Sequence, residues 1–507
     1  MIARKFMVLH CKIRSSLLFA AFGLMLAVPL AARDLPPLVP SPQPATMPAP
    51  TVKALANGLQ VLVLERHRLP MVTLTFAVRA GSAADPRGLP GMAQFVASLL
   101  NEGTSRRSAL EISSAIDDAG GEIDTGADWN DSYATLTMLS DHTRLAFDLL
   151  SGMAIRPAFE PSEVERARKQ ILSALEVLRD DPGYLADTAF ERVVFAGTRY
   201  SHPAEGVAAS VRRITPRDLK KFHARYYRPN GAVLLVVGDV DASEAFALAR
   251  DFFGEWRGKV PSTPSARRAP LGGKGRRIIV IDDPGAVQTE IRIGNPAVGR
   301  ASPDYDALTV ANQILGGPAE NLLFSALRSR RGLVYGASSD LVAYRGAGAW
   351  EIKTSTRTAE TLKAVDLVLS QMKRLDGRAI QDEGVRMAQE YLVGHMALQF
   401  ETQQQITDQL LSLLMYGLPL DYWNTFPQRI RTLTISEVSA AARRYLEPDR
   451  AVIVLVGDAS KFKQNLKKLG ETRVIPLAET DFASPTLERN SAELASRHAP
   501  PRHERVQ

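Results

Sequence analysis

One cysteine, Cys11, is all the chain has in 507 residues. That scarcity excludes disulfides, cysteine-based zinc sites and thiol nucleophiles from everything downstream of it, and a thiol-free body suits an oxidising compartment. Histidine is nearly as sparse. His67, His142, His202, His223 and His395 stand alone with no partner three or four residues away, and His498 and His503 fall in a polar tail. Scattered imidazoles of this kind are surface or packing residues rather than metal ligands. Charge of one sign is lacking too. The formal charge of +7 owes four cations to Arg4, Lys5, Lys12 and Arg14, and without them 58 basic residues face 55 acidic ones, a net +3. No nucleic-acid partner is implied.

A long apolar run occurs only at the start. Residues 15–32 carry no charge, follow the basic segment and end on Ala31 and Ala32, which is the pattern of a secretory signal peptide over residues 1–32. The run is interrupted by Pro29 and falls short of the roughly 20 apolar residues a spanning helix needs. Cys11 precedes the run, the wrong side for a lipid-modified cysteine. A periplasmic chain with no stable membrane span after cleavage is expected.

What is present in quantity is proline, concentrated at breaks. Seven prolines crowd residues 35–50, giving an extended tether over 33–52. A second Pro/Gly/Ser-rich stretch at 259–275 reads as a linker, and residues 476–507 read as a polar tail with little to bury. Between the breaks lie two bodies of similar size, 53–258 and 276–475. They repeat one another: residues 214–239 align without a gap onto 433–458 at an offset of 219. Each copy has a threonine N-cap (Thr215, Thr434), an amphipathic helix, a proline stop (Pro229, Pro448) and a strand of buried β-branched residues. Each body also begins with strands, at 61–64 and 72–78 after the Asn57-Gly58 turn, and at 277–281 and 289–293. The fold class is therefore α+β, as a duplicated unit.

The order Asn57-Gly58, Gly81, residues 91–104, Gly120-Gly121, Pro161 to Pro182, His202-Pro203, Asn312 to Gly317 and Leu327 to Tyr335 resembles the insulinase/pitrilysin zinc-metallopeptidase family, which includes the mitochondrial processing peptidases. The resemblance covers nearly all of the mature chain and implies two homologous α/β-roll domains, each a mainly antiparallel sheet packed with helices. In active members a helix carries His-x-x-Glu-His, two imidazoles for zinc and a glutamate as general base. Here those positions are Gln94, Ala97 and Ser98. The third ligand of the family falls on Ala174, with Glu176 pointing off that face. An amide and an alcohol are poor ligands for zinc, and alanine takes no proton. The resemblance thus implies no metal in this chain.

The family's Arg/Tyr motif is intact at Arg328 and Tyr335. In active assemblies it is implied to face the zinc and donate hydrogen bonds to substrate carbonyls and the developing oxyanion. A plainer reading has Arg328 ending a helix, Gly332 capping it and Tyr335 packing in the next strand. Arg330 and Arg331 read as solvated. The family binds substrates by adding a peptide to a sheet edge; residues 121–129 occupy that place, with Asp124-Thr125 where Asn-Ala is usual. Trp129 and Trp350 read as packing residues. The expected function is a non-catalytic, substrate-binding subunit that pairs with a homologous zinc-bearing peptidase chain and supplies Arg328 and Tyr335. Alternatives are a structural subunit, like the inactive core proteins of respiratory complexes, and a stand-alone peptide-binding homodimer.

Overall fold

The computed structural model describes residues 46–261, 275–318, 321–375 and 380–489. The expected signal peptide, most of the tether and of the linker, and residues 490–507 lie outside them. The described residues build two six-stranded sheets. The first uses β1 (Thr51–Ala54), β2 (Gln60–Glu65), β3 (Met71–Val78), β4 (Glu122–Ala127), β5 (Ser132–Leu139) and β6 (Ala232–Gly238) in the order β1-β2-β6-β3-β5-β4. The second uses β7 (Arg277–Asp282), β8 (Gln288–Ala297), β9 (Val334–Ala343), β10 (Gly348–Arg357), β11 (Val452–Gly457) and β12 (Glu471–Pro476) in the order β12-β7-β11-β8-β10-β9.

The sheets are mixed and mostly antiparallel. β2 runs parallel to β6, and β7 parallel to both β11 and β12. Each sheet wraps a central strand whose residues are all buried, β6 and β11, as expected for continuous apolar runs covered on both faces. These are the repeated strands. The repeated helices, Pro216–Tyr226 and Ile435–Tyr445, both open on capping boxes, Thr215 with Asp218 and Thr434 with Glu437, which pair two orphan donors at each helix start.

The halves exchange helices. Pro182–Val194, from the first half, packs on β8 and β11, while Gln403–Tyr416, from the second, packs on β3 and β6. Leu185, Ala189 and Phe190 thereby enter a core with Ile279, Val452 and Val454 of the other half, and Ile406, Leu410 and Leu413 enter one with Val233 and Leu235. Aromatic rings add to the seam: Tyr200 stacks on Tyr344 at 4.7 Å, and Trp129 lies 5.6 Å from the same ring.

Two stretches read as loose are seated. Met47 is buried and trades backbone hydrogen bonds of 2.8 and 3.0 Å with the Asn424 amide, so the tether ends before it. Residues 477–489 fold back after β12: Leu487 is fully buried and the Arg192 guanidinium donates to the Ala483 carbonyl at 3.2 Å. The polarity of that segment concealed Leu477, Phe482 and Leu487, three apolar residues placed where the other half meets them. Each sheet ends on two edge strands, β1 and β4 in the first and β12 and β9 in the second.

Candidate functional site

The short helix Met92–Ala97 begins where the chain turns at Gly91, with φ +90°. A Cβ there would stand 2.8 Å from the Glu205 carbonyl oxygen, so only glycine fits. Asp85 closes the helix start, its carboxylate accepting from the Gly91 and Ala93 N–H groups at 2.6 and 2.8 Å. Burial nevertheless pushes that carboxyl up to about 8, against the pull of these bonds.

On this helix the structure gives the zinc-motif positions other work. The Gln94 amide oxygen accepts from the Ala127 N–H at 3.0 Å, tying the helix to the end of β4. Ala97 is fully buried. The Ser98 hydroxyl donates to the Phe95 carbonyl at 3.0 Å. Ala174 is exposed on the Pro161–Arg179 helix, which packs beside the first helix through Arg168 over the Phe95 ring at 5.4 Å. One amide oxygen already engaged by a backbone donor, one hydroxyl engaged by a carbonyl and two methyl groups do not make a zinc site. Among the described residues no group of three or more His, Cys, Asp or Glu is placed to hold a metal ion.

The histidines have local partners instead. His67 meets Asp239 at 2.7 Å. His223 bonds the Ala154 carbonyl at 2.9 Å and is driven down to about 4 by burial. His202 packs 5.1 Å from Trp129. Trp129 and Trp350 are both buried, as packing residues should be, and the Trp350 indole donates to Asn312 at 2.8 Å.

Arg328 and Tyr335 are brought together. Arg328 lies in a π-helical turn, Ser325–Ser329, a geometry frequent at functional sites, and Tyr335 is the second residue of the rim strand β9. The guanidinium sits 4.6 Å from the Tyr335 ring centre and 5.2 Å from that of Phe324, and donates to the Tyr335 backbone carbonyl. Gly332, at φ +60°, donates its N–H to the Arg328 carbonyl at 2.8 Å, the cap expected of it. The packing role for Tyr335 is not met: its side chain is 85% exposed. Val334 turns into the core, while Tyr335 and Gly336 are both exposed where the pairing with β10 shifts register, which leaves the phenol outside. Arg330 and Arg331 are exposed, and Arg331 reaches the Ala326 carbonyl at 3.2 Å.

Tyr335 and Phe324 border a cleft of 630 Å³ whose floor includes Arg292 and Lys353. Those cations belong to a buried network that sequence reasoning missed. Arg292 pairs with Asp187 and with Glu290 at 2.9 Å, and Lys353 with Asp187 at 3.2 Å and Glu351 at 3.3 Å. Asp187 lies more than a hundred residues before the two strands that carry its partners, so no spacing could reveal it. In the first half, β4 forms one wall of a larger cavity of 1160 Å³, closed by the Gln403–Tyr416 helix and lined by Glu122, Asp124, Asp128, Asp131 and Asp408. Burial, then the nearby Asp128 carboxylate, push Asp131 up to about 8.

Residues 60–206 match the family described as insulinase (peptidase family M16), and residues 213–392 match the peptidase M16 inactive domain. A relative named uncharacterized zinc protease, from Mycobacterium tuberculosis, is 29% identical over 424 residues, spanning 82% of this chain and 95% of its own length. The non-peptidase homolog YmxG of Helicobacter pylori is 24% identical over 411 residues, 80% of this chain and 93% of that one. The crystal structure of a peptidase M16 inactive domain from Pseudomonas fluorescens matches with a TM-score of 0.75 at 28% identity, over 81% of this chain and 98% of that one. With family matches in both halves and this shared architecture, the chain belongs to the insulinase, or peptidase M16, family, as a homologue of its inactive domain.

Proposed function

We propose that this chain is the non-catalytic, substrate-binding subunit of a periplasmic zinc-metallopeptidase heterodimer that degrades peptides. In this reading it holds no zinc itself and presents Arg328 and Tyr335 to peptides in a chamber whose metal belongs to a homologous partner chain. One observation carries the reading. The Arg/Tyr pair is exposed and mutually stacked on a sheet rim, whereas every zinc-motif position is a residue that cannot ligate or is occupied by another bond. The name of the Helicobacter relative, a non-peptidase homolog, supports the absence of catalysis by the chain alone.

The chemistry follows from the two side chains. The ring under the guanidinium limits its rotation, so its free N–H groups are pre-oriented for a peptide carbonyl, and the exposed phenol offers a second donor nearby. Losing one such donor costs on the order of 10²-fold in turnover. With the zinc-bearing partner added, Arg328→Ala should lower peptide hydrolysis by about that factor and Tyr335→Phe by about tenfold, while the pair still co-elutes on size exclusion. Unchanged turnover in both variants, or one tightly held zinc per purified chain, would overturn the proposal.

A further inference from the structure

A half-open cavity of 610 Å³ lies between the Pro161–Arg179 helix, the start of the Pro182–Val194 helix, residues 203–212 and the segment that follows β12. Its floor is apolar, made by Leu172, Leu175, Leu185, Val207, Leu477 and Phe482. Four cations line the walls: Lys169, Arg179, Arg212 and Arg489. The ion pairs of the long helix belong to its other arginines, Arg166 with Glu163 and Arg168 with Glu165. None of the four wall cations has a carboxylate within ion-pairing distance among the described residues. Two carboxylates share the lining, Glu176 and Asp481, and Asp481 is engaged by the Ala483 N–H at 2.9 Å. With four cations against two carboxylates, the lining carries an excess of positive charge.

The wall is built rather than incidental. Asp481 N–H donates to the Leu487 carbonyl at 2.9 Å and Arg489 N–H to the Glu479 carbonyl at 3.1 Å, over the fully buried Leu487. These bonds fix the backbone from which Arg489 projects. The volume falls in the roughly 300–1,000 Å³ range of small-ligand pockets, and an apolar floor beneath unpaired guanidinium groups fits a ligand with an apolar body and an anionic end. Ser173 and Tyr184 also line the space. Peptide amide groups can meet such polar side chains, and an alkyl chain cannot.

We propose that this cavity binds the carboxy-terminal end of an apolar peptide, with its side chains on the leucine-rich floor and its terminal carboxylate among Arg179, Arg212 and Arg489. The inference extends the peptide-binding reading to a second site that shares no lining residue with the Arg328–Tyr335 rim. Binding by the isolated chain therefore tests it apart from any hydrolysis.

The probe is a fluorescein-labelled Leu-Leu-Phe peptide with a free carboxylate, titrated by fluorescence polarisation against the full chain. Its carboxy-terminal amide should bind at least about tenfold more weakly. The double variant Arg212→Gln, Arg489→Gln should weaken the acid by a similar factor and leave the amide unchanged. Neither side chain is buried, and circular dichroism confirms folding. Equal affinity for acid and amide, displacement by decanoate at the same concentration as by unlabelled peptide, or no saturable binding would each overturn the assignment.

Discussion

Glu351 is a carboxylate that the exchanged helix holds in a partly protonated state, and replacing it tests that account. It lies on β10, 3% exposed, facing Asp187 and Glu191 from the Pro182–Val194 helix, Arg292 and Glu290 from β8, and Lys353 from its own strand. Its Oε1 has no hydrogen-bond partner, because Arg292 is committed to Asp187 and Glu290. Burial raises its pKa from the ordinary 4.5 to about 7, with Lys353 opposing and Asp187 adding. The folded chain thus binds more protons than the unfolded chain between these two values, and stability falls as pH rises through that window. A rise of this size corresponds to about 3 kcal/mol, absent below pH 4.5 and complete above 7. Glu351→Gln keeps the shape and removes the ionisation, and the opposing attraction to half-exposed Lys353 is already contained in the raised value. The variant should therefore exceed the parent by about 3 kcal/mol at pH 8 and show no gain near pH 4.5. Urea unfolding at pH 5, 6, 7 and 8 reads this directly. A variant less stable at every pH, with the parent's slope, would show instead that the carboxylate is ionised throughout and holds the two cations.

Two further outcomes follow from local geometry. Gly91→Ala forces a left-handed residue and a 2.8 Å approach to the Glu205 carbonyl, so the chain should lose about 2–4 kcal/mol in urea unfolding; an unchanged midpoint would mean the turn relaxes freely. Thr215→Ala and Thr434→Ala should each cost about 1 kcal/mol, and nearly equally, because each removes the same capping box from one copy of the repeat.

Much of the fold was legible because its signals are local. Thr215 and Thr434 announce helix starts through a bond three residues on, and the runs in β6 and β11 contain enough β-branched residues to read as buried strands. The exchange of helices was not legible. Leu185, Ala189 and Phe190 form an ordinary amphipathic stripe whatever they cover, and periodicity states that a face is buried without naming what buries it. The seated tail failed for a related reason: Leu487 is one apolar residue among polar neighbours, and it is buried in a core that both halves build.

The site was legible in its residues and hidden in its roles. Spacing identified Gln94, Ala97 and Ser98 as non-ligands, yet only the structure shows Gln94 clipped to the last residue of β4. Spacing likewise paired Arg328 with Tyr335 but left open whether the phenol packs, and β9 turns it outward. These two outcomes have one structural address. β4 and β9 are equivalent strands, each the last in its sheet beyond β5 or β10, so the two copies of the duplicated unit use the same rim differently. In the first copy the helix beside the rim has a single polar side chain, Gln94, and it secures the strand. In the second the rim carries an exposed donor pair and stays open. The repeat visible in the sequence lies elsewhere, in the capped helices and the central strands, where both copies need the same packing and share the same pattern of caps and apolar residues. At the rims packing demands little, and it is there that the copies have diverged.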